Sequence, residues 1–329
     1  MGHLAHPQEM LAAEAPAGSG AGPQPLSPEA LSQGLNAAFP QASVAVGAAT
    51  LPGPHGLDRA VANEMTIGGE NVLVAMVAEG LGASGAVDWC AANLTQTFVR
   101  AARGDPSAGS LRRAGKEAFK EAHREVRRLL AAAGPSAPPA SACHVTVCAI
   151  NRLRGEITAC NAGASSAVLF ASRGAPVSLT EDHRFENSPS ERQRMQELGS
   201  SLKRASSHGQ PTGVLRTWPP GVAIAQGIIC ARAIGSFGGS ANLISPQPHC
   251  STVPMPPSGG DLLIGTDGLW DELFVSTIGS LCRTCPTPTS CVALTSPSAP
   301  TLLSSPLVAL PLPHSSCSLS PSRPLWPVP

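Results

Sequence analysis

The chain has 329 residues, room for one large domain or two modest ones. Its 22 basic and 22 acidic residues cancel, so no basic excess points to nucleic acid or an anionic membrane surface. Glycine and proline number 33 each, which marks disordered stretches, and aromatics make up only 3%, so a core must be built from Ala, Val, Leu and Ile.

Residues 1–52 are rich in Ala, Pro, Gly and Ser without sustained periodicity and read as a disordered leader. The leader lacks Lys and Arg and carries Glu9, Glu14 and Glu29, which argues against an organelle transit peptide. No basic-then-apolar segment marks secretion. His6 stands where a myristoylation signal wants Ser or Thr. No apolar run approaches the ~20 residues that span a bilayer.

The body, residues 53–275, opens with a compact apolar run at 71–78 that reads as a buried strand. Residues 84–103 carry Val87, Cys90, Leu94 and Phe98 at helical spacing. Residues 110–130 form a second helix with a stripe through Leu111, Ala118, Ala122, Val126 and Leu129. The Pro/Ser/Ala-rich stretch 133–141 is a loop. Strands at 144–150 and 156–161 flank Asn-Arg-Leu-Arg-Gly at 151–155, a hairpin signal. A strand at 166–170 continues the meander to a turn at 172–174.

Ser188-Pro189-Ser190-Glu191 starts a helix, with Ser as N-cap, Pro at the first helical position and an acid in the first turn. That helix runs to about Leu198 and ends at Gly199, and residues 200–226 read as irregular. Cys148, Cys160 and Cys230 lie in apolar runs and read as small buried hydrophobes. Cys282, Cys285 and Cys291 lack the matching second ligand pair of a zinc site. No Asp, Glu or Lys follows Glu272. The Pro/Ser/Leu-rich tail, 276–329, is expected to be disordered and to supply none of the domain's last strands.

The most informative stretch is 261–273. An apolar strand delivers the carboxylate of Asp267 to the end of a sheet, Gly268 lets the backbone turn, and Trp270 anchors the chain beyond the turn. A carboxylate presented this way is a hard oxygen ligand suited to magnesium or manganese. A strand followed by an acidic turn is the plain alternative.

Asp-Gly-Leu-Trp-Asp at 267–271 resembles the signature of the metal-dependent protein serine/threonine phosphatases, the type 2C (PPM) family. Three more stretches resemble the family's in the same order. Residues 160–170 are similar to its Asn-Val-Gly-Asp-Ser-Arg-Ala-Val-Leu strand. Leu-Thr-Glu-Asp-His at 179–183, with the helix after Pro189, is similar to its own. Residues 227–237 are similar to its arginine-containing run. Together they cover roughly 55–275.

The resemblance implies an α/β sandwich: two antiparallel sheets packed face to face and flanked by helices, here missing its C-terminal elements. It also implies hydrolysis of phosphoserine and phosphothreonine by metal-activated water, with two Mg2+ or Mn2+ ions held by clustered aspartates. By that resemblance Asp267, Glu79 and the Gly80 carbonyl are the metal ligands and Arg59, ahead of Asn63 and Glu64, is the phosphate-binding arginine. Leu81 stands where the family has a histidine proton donor, and Ala164 and Ser236 stand where it has aspartates. The family's final metal aspartate has no counterpart.

Asp267 and Glu79 alone are short of charge for two divalent ions, so tight two-metal binding is not expected and hydrolysis is expected to be impaired. His144 and His183 read as structural. The alternatives are a pseudophosphatase that binds a phosphoprotein or kinase partner, and a truncated product that does not fold stably. The implied partner is a phosphoprotein, with no nucleic acid and no membrane, and the implied state is a monomer of the cytoplasm or nucleus.

Overall fold

Apolar residues on both parities of residues 72–78 require a strand covered on both faces. A computed structural model describes residues 47–49, 57–134, 140–207, 210–218, 227–237, 243–284 and 307–312. There the run is the centre of the third strand in chain order. The strands are β1 (Gly47–Ala49), β2 (Arg59–Ile67), β3 (Glu70–Gly82), β4 (Ser141–Asn151), β5 (Glu156–Ala162), β6 (Ser166–Ala171), β7 (Val177–Ser178), β8 (Lys203–Ser207), β9 (Gln210–Arg216), β10 (Ile234–Ser236), β11 (His249–Pro254), β12 (Gly260–Gly265) and β13 (Leu307–Leu312). The helices are α1 (Gly85–Ala101), α2 (Ala108–Ala132), α3 (Pro189–Glu197), α4 (Asp267–Trp270) and α5 (Val275–Thr284).

One sheet has the order β11-β5-β4-β3-β2, with β10 paired to the start of β4, and the other has the order β1-β13-β12-β6-β7. The named strand pairs are antiparallel. Residue parity sorts the layers. Val72, Val74, Met76 and Ala78 pack with Val145 and Val147 against Leu94, Phe98 and Phe119 of α1 and α2. Leu73, Ala75 and Val77 face the other way, with Cys148 and Ile150, onto Leu169, Leu262 and Ile264 of the second sheet. Val168, Phe170 and Leu263 form that sheet's outer face, closed by Leu269, Ile278 and Cys282. The result is the sandwich of two antiparallel sheets between helices that the resemblance implied.

Local chemistry sets the helix starts. The Ser107 hydroxyl accepts from the Ser110 backbone N–H at 3.4 Å, and the Ser188 hydroxyl accepts from Glu191 N–H at 3.4 Å. Cys148, Cys160 and Cys230 are buried free thiols, while Cys285 and Cys291 lie outside the described residues.

Four expectations are corrected. Structure continues past residue 275: α5 runs to Thr284 and buries Ile278 and Cys282, four residues apart on one helix face. The tail does supply a strand, because β13 pairs along the whole of β12, from Gly260↔Leu312 to Gly265↔Leu307. Within the expected leader, β1 extends the same sheet. The rest of the leader and tail lie outside the described residues. In the stretch expected to be irregular, β8 and β9 form a hairpin whose largely exposed side chains carry no alternating apolar pattern. Among the described residues, no helix is long and apolar enough to cross a membrane.

Candidate metal centre

Where the inner faces of the two sheets reach one end of the sandwich, apolar residues give way to polar ones. On β3 the inward series Leu73, Ala75, Val77 continues to Glu79. On β4 the parity of Cys148 and Ile150 leads back to His144, the cross-strand partner of Glu79. On β12 the series Leu262, Ile264 leads to Thr266, next to Asp267. On β2 the series Ala62, Ala60 leads back to Asp58, just before the strand.

Glu79, His144 and Asp267 each bring one ligand atom to within 4.8 Å of the others. Glu79 Oε2 lies 3.3 Å from His144 Nδ1. Asp267 is the first residue of α4, and the Trp270 indole N–H donates to the Gly265 carbonyl at 3.0 Å, fixing the turn that carries it. Asp58 lies outside that 4.8 Å set but near enough for Glu79 and Asp267 to repel its charge. It is 7% exposed, accepts from the Gly80 backbone N–H, and takes a long 3.5 Å contact from the Thr266 hydroxyl. Motif spacing alone missed Asp58 and left His144 with a structural role. Strand parity was the available signal for both.

Burial dominates the electrostatics. It pushes Asp58 up to about 7, and repulsion from Glu79 and Asp267 adds to the shift. Burial, then Glu79, pushes Asp267 up to about 6, while His144 and Arg184 pull it back. Burial disfavours the His144 cation, but Cys230 and Glu79 outweigh it and hold the ring's proton more tightly than usual.

These shifts fix the sign of the pH dependence. Folded Asp58 and Asp267 bind protons more tightly than the unfolded chain does. Their contribution to stability is complete below about pH 4 and is lost as pH rises through about 6 and 7. A cation competes with those protons. Affinity for a divalent cation is therefore expected to rise between about pH 5 and 8, with proton release on binding near pH 6. Calorimetry in buffers of different ionisation enthalpy checks this, and a pH-independent affinity would contradict it.

Of the other expected site residues, Gly80 adjoins the group through its N–H to Asp58, and Arg59 follows Asp58 in the chain. Gly80 has no room for a side chain, since a Cβ there would sit 2.7 Å from Leu57 Cβ and 2.8 Å from Leu57 O. The glycine lets the Leu57–Asp58 segment approach. Arg59 directs Nη2 to Asp88 of α1 at 2.6 Å, so a helix carboxylate matches its charge. Glu64 pairs with Arg152 and lies opposite Leu73, about 20 Å of strand from the Glu79 end. Leu81 packs with the cluster containing Ala142 and Phe185. His183 is held at the Gly163 backbone, and burial lowers it to about 4.

Gly163 has φ +115°, and a Cβ there would lie 2.4 Å from two ring atoms of His144. Gly163→Ala is expected to cost at least ~1–3 kcal/mol of stability through backbone strain alone and to displace the imidazole. A thermal melt reads the first effect, and an unchanged midpoint would contradict it.

A family model described as Protein phosphatase 2C matches residues 61–299. "Probable protein phosphatase 2C 5" of Arabidopsis thaliana is 34% identical over 128 residues, covering 39% of this chain and 28% of that protein. "Probable protein phosphatase 2C 33" of Oryza sativa subsp. japonica is 34% identical over 131 residues, covering 40% and 29%. The match thus spans less than a third of these relatives. The serine-threonine phosphatase 2C of Toxoplasma gondii superposes with a TM-score of 0.63 at 16% identity, covering 83% of this chain and 95% of that one. A C. elegans sex determining protein gives 0.61 at 18%, covering 81% and 64%. At these identities the two structures show the fold.

Proposed function

Since this chain belongs to the protein phosphatase 2C family, we propose that it is a metal-dependent phosphatase domain that hydrolyses phosphoserine or phosphothreonine in proteins, slowly. The observation that carries this reading is the convergence of Glu79 and Asp267 from facing sheets, with Asp58 beside them. The donor set fits a divalent cation: carboxylate oxygens suit Mg2+ or Mn2+, and the mutual repulsion of Asp58, Glu79 and Asp267 is the kind a cation relieves.

Asp58 revises the charge argument made from sequence. Three carboxylates balance one divalent ion and fall short of two, so one ion per chain is the expected load. Glu79 and Asp267 would hold it, with Asp58 alongside. When bound, the ion would supply an acidified water and neutralise phosphoryl charge. Gly80 N–H and Thr266 orient Asp58, while the anchored Trp270 turn fixes Asp267.

Leu81, which the resemblance sets in the proton donor's place, can neither give nor take a proton, so on this reading the leaving group departs without a general acid. Loss of a general acid costs on the order of 10²–10⁴ in rate. Leu81→His is accordingly expected to raise turnover, and an unchanged kcat in a folded variant would remove Leu81 as the cause of impairment.

Leu81 also favours a second reading, a pseudophosphatase that holds a phosphoprotein or kinase partner. Purified protein with manganese and a phosphopeptide separates the readings. Turnover abolished by Asp267→Asn supports hydrolysis. A cooperative melt without turnover supports the binding role. No cooperative melt supports a truncated product.

A further inference from the structure

We infer that His144 is a nitrogen ligand of this site, giving a mixed carboxylate–imidazole set that selects transition-metal ions over magnesium. The inference rests on the proposal that Glu79 and Asp267 bind a cation.

Pairing of β3 with β4 sets His144 directly opposite Glu79, on the same inner face. Across that pair Nδ1 and Glu79 Oε2 are 3.3 Å apart, a separation that two ligands of one ion share. One ring nitrogen also lies within 4.8 Å of a ligand oxygen of Asp267. The ring is 2% exposed and lies among Glu79, Asp267 and the Cys230 thiol. The imidazole is also held in place: the bare backbone of Gly163 packs against it at a position no side chain fits.

His183 provides the contrast. It too is buried, but its Nδ1 is taken up by the Gly163 backbone, and among the described residues it joins no ligand cluster.

The chemistry of the donor decides the preference. Mg2+ favours oxygen and sheds its waters reluctantly, whereas imidazole suits first-row transition ions, with affinity rising from Mn2+ through Co2+. An imidazole ligates through the lone pair of its neutral form. A site built from Asp58, Glu79 and Asp267 alone would lack this discrimination.

The test uses the full chain loaded with Mn2+ and electron spin-echo envelope modulation, which detects a nitrogen bound to the ion, beside titrations with Mn2+, Co2+ and Mg2+. The expected result is a nitrogen coupling in the wild type that is lost in His144→Gln. In that variant, affinity for Mn2+ and Co2+ falls on the order of tenfold or more, while affinity for Mg2+ stays within about threefold.

The wild-type spectrum stands whether or not the variant folds. Mn2+ bound without a nitrogen coupling overturns the inference and leaves the carboxylate site intact. An equal fall for all three ions in a folded variant also overturns it. No saturable Mn2+ binding by the wild type overturns the metal-site proposal and this inference with it.

Discussion

Replacing Asp267 with asparagine is expected to raise the melting temperature of the metal-free protein at neutral pH and, in the same variant, to abolish manganese binding. The two effects have one cause. Asp267 is pushed up to about 6 by burial and by Glu79, so at pH 7.5 the fold holds an ionised group in a place that disfavours it. Asparagine keeps the shape and removes the charge, which relieves on the order of 1–3 kcal/mol, or several degrees in the midpoint. The lost charge is also one of three available to a cation, so affinity for Mn2+ should fall at least on the order of 100-fold. Melts with and without manganese check both signs. A variant that melts lower without metal, or still gains stability from manganese, would contradict the assignment.

Truncation after Thr284 is expected to destroy cooperative folding. β12 pairs with β6 on one side and β13 on the other, and carries Leu262, Leu263 and Ile264, all fully buried. Removing β13 turns the strand that delivers Asp267 into an edge with unpaired backbone groups next to apolar surface. Each lost backbone hydrogen bond costs ~0.5–1.5 kcal/mol, and several together rival the ~5–15 kcal/mol of a typical domain. Circular dichroism melts and light scattering read the outcome. A truncated chain that melts like the full one would show that β13 contributes nothing.

Much of the fold was legible because local pattern and burial agree. The unbroken apolar run at 71–78 marked a strand covered on both faces, and Ser188-Pro189 marked a capped helix start. β13 was missed because its pattern is ambiguous: Pro311 interrupts the apolar run, and proline argues against an interior strand.

The candidate site was half legible. Asp267 and Glu79 stood out because each closes an apolar run with a single acid. Asp58 precedes its strand, and its location is set by tertiary contacts: the Gly80 N–H and the Thr266 hydroxyl reach it from β3 and from the end of β12. His144 looked structural because a strand histidine has many uses; only its register opposite Glu79 gives it one.

Diffraction at the manganese absorption edge, from crystals grown with millimolar Mn2+, tests the central claim most directly. One anomalous peak is expected, within coordination distance of the Glu79 and Asp267 carboxylates. A map with no peak between them, or with manganese bound only elsewhere, would contradict it.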